Sequence, residues 1–227
     1  MNPAGLATIR DASIELDATI GAPTHTAHLR QWTIGFNSRG FSLGYQRDIF
    51  DGGARGHTYR LGFGAASGGL SGGFATALYR GNTSATGWDI GVTYDAGPLL
   101  RVGGVIANLG QPTVRGVREV LTYIPGASVR PFGPNALFSV AGRITSRAVQ
   151  SYSFEARWAR VASSPIQLLA RLDTDRGLRR GAFAFGLAIG GQDQLGLVGD
   201  APGDVSTVDA LTVYGLSTRS VKTRRRR

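Results

Sequence analysis

The sequence predicts an all-β protein, an up-and-down antiparallel transmembrane β-barrel of about 14 strands. Three observations support this prediction. Apolar residues recur with a period of two along nearly the whole chain, the segments with this period are long, and the face opposite the apolar one is rich in small residues. The 227 residues include 34 glycines, about twice the average share of roughly 7%, and they show no collagen-like repeat.

The period of two is clearest in the segment Trp88–Asp95. Its apolar face consists of Trp88, Ile90, Val92 and Tyr94, and its polar or small face of Asp89, Gly91, Thr93 and Asp95. Pairs rich in glycine, proline and asparagine separate segments of this kind and indicate turns. The predicted strands, in order, cover residues 12–20, 29–38, 41–50, 57–67, 70–80, 85–96, 99–109, 117–130, 136–147, 150–161, 166–175, 179–191, 193–199 and 205–218.

The length and number of the predicted strands favour a closed barrel. Strands in soluble sheets have five or six residues as a rule, whereas transmembrane strands need about nine to eleven. An even number of strands lets the first and the last pair antiparallel, so we expect fourteen, including the weakly patterned 193–199. Closure then requires the strand around Ile14–Ile20 to pair with the strand around Leu211–Ser217.

Composition distinguishes a membrane barrel from a soluble sandwich or barrel, which is the alternative. A water-facing sheet surface usually carries lysine and glutamate and avoids glycine, but this chain has one lysine and three glutamates. We therefore expect the apolar face to meet lipid and the small-residue face to line the lumen. The residues expected to face lipid include Trp88, Ile90, Val92, Tyr94, Phe183, Phe185 and Leu187. Those expected to face the lumen include Asp89, Gly91 and Gly186.

Two further sets of residues follow from this orientation. Charged residues on the small-residue face are expected to line the lumen and to pair across it; they are Glu15, Asp17, Asp48, Arg60, Asp89, Glu155, Arg157, Arg171 and Asp173. Aromatic residues near strand ends are expected to form girdles at the membrane interfaces; they are Trp32, Phe41, Phe50, Tyr79, Trp88, Tyr94, Tyr152 and Trp158.

The chain carries a net charge of +10, and every basic residue except Lys222 is arginine. The arginines are scattered and the aromatic residues alternate with glycine instead of forming a stacking platform, so we expect no nucleic-acid partner. Arginines at loop tips instead suggest contact with outer-membrane lipid or lipopolysaccharide. We expect a barrel domain over residues 1–220 and a disordered basic tail over 221–227, because Arg224–Arg227 repel one another.

The sequence lacks the residue patterns of an enzyme. There is no cysteine, which excludes disulfides, thiolate metal sites and cysteine catalysis. His25, His28 and His57 are expected in surface loops, and no phosphate-binding loop or serine nucleophile motif is present. We therefore predict no catalytic activity, no metal and no cofactor.

Two segments carry a resemblance to known barrels. Asn2-Pro3-Ala4-Gly5-Leu6-Ala7 resembles a stretch of the long-chain fatty-acid transporter superfamily of outer-membrane barrels, whose relatives include the shuttle barrels of type IX secretion. The hairpin from Trp88 to Gly110, with its Gly97-Pro98 turn, is similar to hairpins of the same families. The resemblance implies an outer-membrane location and the transport or binding of a hydrophobic small molecule.

The N-terminal segment also has a physical interpretation of its own. Pro3 fixes its φ angle, Asn2 is able to bond its own backbone, and Gly5 permits a sharp bend. Residues 1–11 are therefore expected to form either a plug at the barrel mouth or a plain turn before the first strand.

A further likeness and the two chain ends leave other roles open. The run Ile124–Gly133 resembles a hairpin in the β-rich region of long signal peptide peptidases of the A type. No signal peptide begins the sequence, and arginines end it, so we expect a fragment of a longer protein. The hypotheses are a transporter of hydrophobic molecules, a non-transporting anchor or scaffold barrel, and a soluble β-protein that binds a ligand or polyanion.

Overall fold

The computed structural model describes residues 2–21, 27–49, 55–81, 84–114, 116–159, 165–202 and 208–220, and these form a closed antiparallel barrel of fourteen strands. The barrel strands are β1 (Ala12–Gly21), β2 (His28–Ser38), β3 (Phe41–Ile49), β4 (Arg55–Ser67), β5 (Leu70–Arg80), β6 (Ala85–Asp95), β7 (Leu100–Leu109), β10 (Thr122–Val129), β11 (Ala136–Thr145), β12 (Val149–Ala159), β13 (Ile166–Asp175), β14 (Arg180–Gly190), β15 (Asp193–Pro202) and β16 (Ala210–Arg219).

Few other elements accompany the barrel. A two-stranded hairpin, β8 (Thr113–Val114) and β9 (Val117–Arg118), lies in the connection between β7 and β10. Two short 3-10 helices cover Pro3–Thr8 and Gly133–Asn135. Within the described ranges, no helix has the length and apolar character needed to cross a membrane.

Pairing of the first and last strands closes the barrel, as predicted. β1 runs antiparallel to β16, with Ile14 opposite Ser217 and Ile20 opposite Leu211. The weakly patterned segment 193–199 belongs to a full strand, β15, which pairs with both β14 and β16. The predicted all-β fold with fourteen strands is therefore confirmed.

The predicted strand 117–130 is wrong at its start. The barrel strand β10 begins at Thr122, whereas Val117 and Arg118 pair with β8 in the small hairpin. Asn108, Gly110 and Gln111 have positive φ angles of 61°, 83° and 46°. These left-handed residues turn the chain out of the barrel before it returns as β10.

The outward face of the barrel is apolar, as expected for a wall in contact with lipid. Val92 and Phe185 are 53% and 50% exposed, whereas Gly91 and Gly186, one residue away on the other face, are buried. The other residues predicted to face lipid lie on the same outward face; they are Trp88, Ile90, Tyr94, Leu187 and the half-buried Phe183. None of the described large side chains is fully buried, because the lumen holds few large apolar groups.

The two ends of the barrel differ. One end of the barrel, here called the terminal end, holds the start of β1 and the end of β16. It also holds the two-residue turns Arg39–Gly40, Gly68–Gly69 and Gly191–Gln192. The connection 110–121 with its hairpin lies at the opposite end, here called the loop end. The basic tail predicted over residues 221–227 lies outside the described residues, as do Phe50 and His25, so those statements stay predictions.

We expect Val92→Arg to destabilise the barrel in lipid vesicles by up to about 2–4 kcal/mol, because the guanidinium would replace an exposed apolar group two residues from the middle of β6. Thr93→Arg is the matched control, since Thr93 lies next to it and lines the lumen, where a charge remains hydrated. Urea titration of both variants measures the difference. Equal stability of the two variants would contradict the assignment of the outward face to lipid.

Candidate functional site

The N-terminal segment folds inside the barrel. Its 3-10 helix, Pro3–Thr8, begins after Asn2, whose side-chain Oδ1 accepts a hydrogen bond of 3.0 Å from the Ala4 backbone N–H. Such a cap satisfies a backbone donor that has no partner in the helix, and proline at the first helical position has a suitable φ angle. Ala4 is fully buried and Leu6 is 5% exposed, so the segment is packed against the wall.

Glycines form the surface on which the segment rests. We call Gly62 and Gly64 of β4, Gly73 of β5 and Gly91 of β6 the glycine floor. A Cβ atom at Gly73 would overlap the Pro3 carbonyl and the Ala4 nitrogen, and one at Gly91 would overlap Asn2 Oδ1. At Gly62 it would lie 2.6 Å from Leu6 Cδ1, and at Gly64 2.8 Å from the Ala7 nitrogen. Any larger residue at these positions would force the segment to move.

The segment runs across the strands instead of along them. Asn2 lies over β6, Pro3 and Ala4 over β5, and Leu6 and Ala7 over β4. Asn2 Nδ2 also donates a hydrogen bond of 3.3 Å to the Val92 carbonyl of the wall. The segment therefore covers the inner wall of three neighbouring strands and narrows the lumen.

The three predicted plug residues have different places in this arrangement. Asn2 and Pro3 lie against the glycine floor, whereas a Cβ at Gly5 would meet no atom within 4 Å. The chain turns at this point, with the Gly5 N–H donating a hydrogen bond of 3.0 Å to the Asn2 carbonyl, but Gly5 does not have a positive φ angle. The 3-10 helix turns the chain without a left-handed residue.

All nine charged residues predicted for the lumen lie on the inward face of their strands, but the described ion pairs do not cross the lumen. Arg157 Nη2 lies 3.1 Å from Glu155 Oε1 on β12, and Arg171 Nη2 lies 3.0 Å from Asp173 Oδ2 on β13. Residues two apart on one strand share a face and are about 7 Å apart, which long side chains readily span. Glu15, Asp17 and Arg60 also face inward, from β1 and β4.

Two of the predicted lumen charges have local structural partners. Asp48 Oδ1 accepts a hydrogen bond of 2.8 Å from Gln46 Nε2, which also donates to Gln31 Oε1 at 3.1 Å. Asp89 Oδ1 accepts a hydrogen bond of 2.9 Å from the Asn108 backbone N–H. Asp89 thus stabilises the left-handed Asn108 near the end of β7, a role that the sequence pattern does not indicate.

The connection 110–121 folds back over the inner wall at the loop end. Pro112 is buried, with its Cγ 3.3 Å from the position that a Cβ of Gly87 would take. Asn108 Nδ2 donates to the Val120 carbonyl at 3.2 Å, and the Glu119 N–H donates to the Pro112 carbonyl at 2.9 Å. Tyr79 lies beside Gly87 on the inward face, so its predicted place in an outer aromatic girdle is wrong.

The lumen contains two polar cavities, of which the larger lies beside the N-terminal segment. The larger has a volume of about 740 Å³ and is bounded by Asn2; its charged and hydroxyl groups belong to Thr93, Arg101, Ser128, Ser139, Arg143, Ser151, Ser153, Glu155, Arg171 and Asp173. The smaller has a volume of about 420 Å³; its polar groups belong to Glu15, Asp17, Arg157, Gln167, Gln194, Thr212 and Tyr214. Arg101 is held by a two-contact ion pair with Asp95 at the terminal end of β6 and β7.

The histidines do not form a metal site within the described residues. His28 and His57 lie in strands β2 and β4, so their predicted placement in loops is wrong. Tyr45 Oη and His57 Nδ1 are hydrogen-bonded at 2.7 Å. No cluster of three or more metal-ligating side chains occurs in the described part of the chain.

Comparison with known proteins supports the fold. No family model and no curated protein matches the chain. Among solved structures, the outer membrane protein Omp33 of Acinetobacter baumannii is similar, with a TM-score of 0.58 at 8% identity over 93% of this chain and 98% of that one. OmpF of Salmonella typhi, in a complex with daunomycin, has a TM-score of 0.51 and 8% identity, and the match covers 92% of this chain and 97% of that one. A bacterial polysaccharide outer membrane secretin has a TM-score of 0.50 and 11% identity, and the match covers 94% of this chain and 99% of that one.

These similarities show a porin-like outer-membrane barrel fold. At sequence identities of 8–11%, the similarity concerns the fold alone and does not indicate an activity. They do not support the implied membership of the fatty-acid transporter superfamily or the likeness to signal peptide peptidases.

We expect Gly73→Val to displace the N-terminal segment, because the added side chain would overlap Pro3 and Ala4. Ala4→Cys in the otherwise cysteine-free chain reports this displacement through its reaction with a water-soluble thiol reagent. Gly72→Val is the matched control, since a Cβ at Gly72 meets nothing within 4 Å. Slow labelling of the thiol introduced by Ala4→Cys in the Gly73→Val background would show that the segment does not depend on the glycine floor.

Proposed function

We propose that this chain is an outer-membrane channel for small hydrophilic solutes, with a lumen that the N-terminal segment narrows. The observation that carries the proposal is the polar cavity of about 740 Å³ beside the segment, lined by serine hydroxyls and by the charges of β7 and β11–β13. Together with the porin-like fold, this wall supports a passage for solutes that hydrogen-bond to it.

The chemistry of the wall favours polar over apolar solutes. Glu155, Arg171 and Asp173 carry charge along the larger cavity, and Glu15 and Asp17 carry charge along the smaller. An apolar solute in contact with these groups would remove water from them without replacing its hydrogen bonds, which is unfavourable. Transport of a hydrophobic molecule, implied by the resemblance of the N-terminal segment, is therefore the second candidate.

Two features support an outer-membrane location as part of this proposal. The outward face of the barrel is apolar, as a wall in contact with lipid would be, and Omp33 and the polysaccharide secretin named above are outer-membrane proteins. In such barrels short turns face the periplasm and longer loops face outward. We therefore assign the terminal end to the periplasm and the loop end to the exterior of a Gram-negative envelope, and we assign no enzymatic activity.

We expect deletion of residues 2–8 to raise the single-channel conductance in planar lipid bilayers severalfold, because the segment occupies lumen cross-section over three strands. Swelling of proteoliposomes in a small neutral sugar should accelerate in the same variant. Gly72→Val, which keeps the segment seated, is the control and should match the wild type in both assays.

Other outcomes of these assays favour the other hypotheses. Inserted barrels that conduct in neither form would reject the channel and favour an anchor or scaffold. Uptake of a fluorescent fatty acid without conductance or sugar permeation would favour the hydrophobic cargo instead.

A further inference from the structure

Three arginines surround a histidine on the outward wall at the loop end. Arg47 of β3 and Arg80 of β5 lie directly opposite His57 of β4 in the sheet. Arg55 lies two residues before His57 on the same strand face, opposite Ile49. We call Arg47, Arg55 and Arg80 the arginine patch. Neighbouring strands lie about 4.8 Å apart, so Arg47 and Arg80 flank His57 at about 10 Å from each other, and the long side chains of all three arginines border the area around His57.

The alternation of the strands places this patch on the lipid side. On β4, Tyr59 and Phe63 are 45% and 52% exposed on the outward face. Arg55 and His57 lie on the same face, because alternate residues of a strand point to the same side. On β3, the outward-facing Leu43 is 50% exposed, and Arg47, four residues further along the strand, points to the same side. Arg80, as the partner of His57, points to the same side.

An aromatic cluster lies beside the patch on its apolar side. The rings of Trp32 and Tyr45 are 5.1 Å apart, and those of Tyr45 and Tyr59 are 5.2 Å apart. The hydrogen bond between Tyr45 and His57 joins this cluster to the patch. Tryptophan and tyrosine at the rim of an apolar band mark the level of lipid headgroups, so the guanidiniums lie at that level.

The positive charge of the patch is not neutralised by the described part of the protein. None of the three guanidiniums forms an ion pair with a described carboxylate. Arg80 Nη1 donates to the adjacent Tyr79 carbonyl, at 2.8 Å. Arg47 Nε is buried without a hydrogen-bond acceptor among the described residues. Positive charges about 10 Å apart on a lipid-facing wall repel one another weakly, and an anion bound among them would offset this repulsion.

We propose that the arginine patch is a binding site for the phosphate groups of an anionic membrane lipid in the leaflet at the loop end. Guanidinium groups bind phosphate through two parallel hydrogen bonds, and the acyl chains would lie along Tyr59 and Phe63. A lipid fits better than free phosphate because the patch adjoins an apolar wall instead of an aqueous cleft. The inference requires that the barrel lies in a membrane, as proposed above, but not that it conducts.

The test compares two full-length variants that lose the same charge from the same end of the barrel. The first is Arg47→Gln/Arg55→Gln/Arg80→Gln. The matched control is Arg147→Gln/Arg176→Gln/Arg179→Gln, which changes exposed arginines in the turns at the loop end. Each delipidated protein is titrated in neutral detergent with lipopolysaccharide, phosphatidylglycerol or phosphatidylcholine, and native mass spectrometry measures the fraction of protein with bound lipid. Inorganic phosphate is added as a competitor in a parallel titration.

We expect the patch variant to bind lipopolysaccharide and phosphatidylglycerol about tenfold more weakly than the wild type, which corresponds to about 1.4 kcal/mol. The control should stay within about twofold of the wild type, and millimolar inorganic phosphate should not compete. Equal losses in both variants, no preference over phosphatidylcholine, or competition by inorganic phosphate would each overturn the inference. A wild-type chain that fails to insert into bilayers would instead reject the membrane location, and a chain that inserts without conducting would reject the channel alone.

Discussion

Pairing of β1 with β16 is the constraint on which the rest of this structure depends. In lipid no water is available to satisfy a free strand edge, so every backbone N–H and C=O group of the wall needs a partner in the sheet. The pairing from Ala12 with Arg219 to Gly21 with Ala210 removes both edges at once. Closure also fixes the side on which each residue lies, because a slip of one position would exchange the apolar and polar faces of the strand.

The inner face of this wall is specialised by position. On β4, β5 and β6 the inner face has glycines without side chains at the glycine floor, and this leaves room for the N-terminal segment to pack against the backbone. On β12 and β13 it carries charges held by neighbours on the same strand, which leaves open volume between them. One part of the wall therefore binds the N-terminal segment, and the other borders an open polar cavity.

The sequence predicts the features that depend on the period of two and misses those that depend on contacts across the barrel. Strand number, closure and sidedness follow from the alternation seen in Trp88–Asp95. The false start of 117–130 arises because the chain leaves the barrel at left-handed residues, and Val117 and Arg118 then pair with Thr113 and Val114 in a separate hairpin. The residues of the glycine floor are merely small in the sequence, because only the fold brings the N-terminal segment over them. The arginine patch is equally invisible there, since the sheet register brings Arg47 and Arg80 together around His57.

The short link between the N-terminal segment and the barrel governs how the segment rebinds after it is displaced. Only Ile9, Arg10 and Asp11 separate the 3-10 helix from the first residue of β1, so the reach of the segment is about 10–14 Å. A tether this short keeps its effective concentration at about the millimolar level or above. Rebinding to the glycine floor is then unimolecular and independent of protein concentration. A solute that displaces the segment must compete with a group that never diffuses away, so occupancy of the lumen would respond to solute only at comparably high concentration.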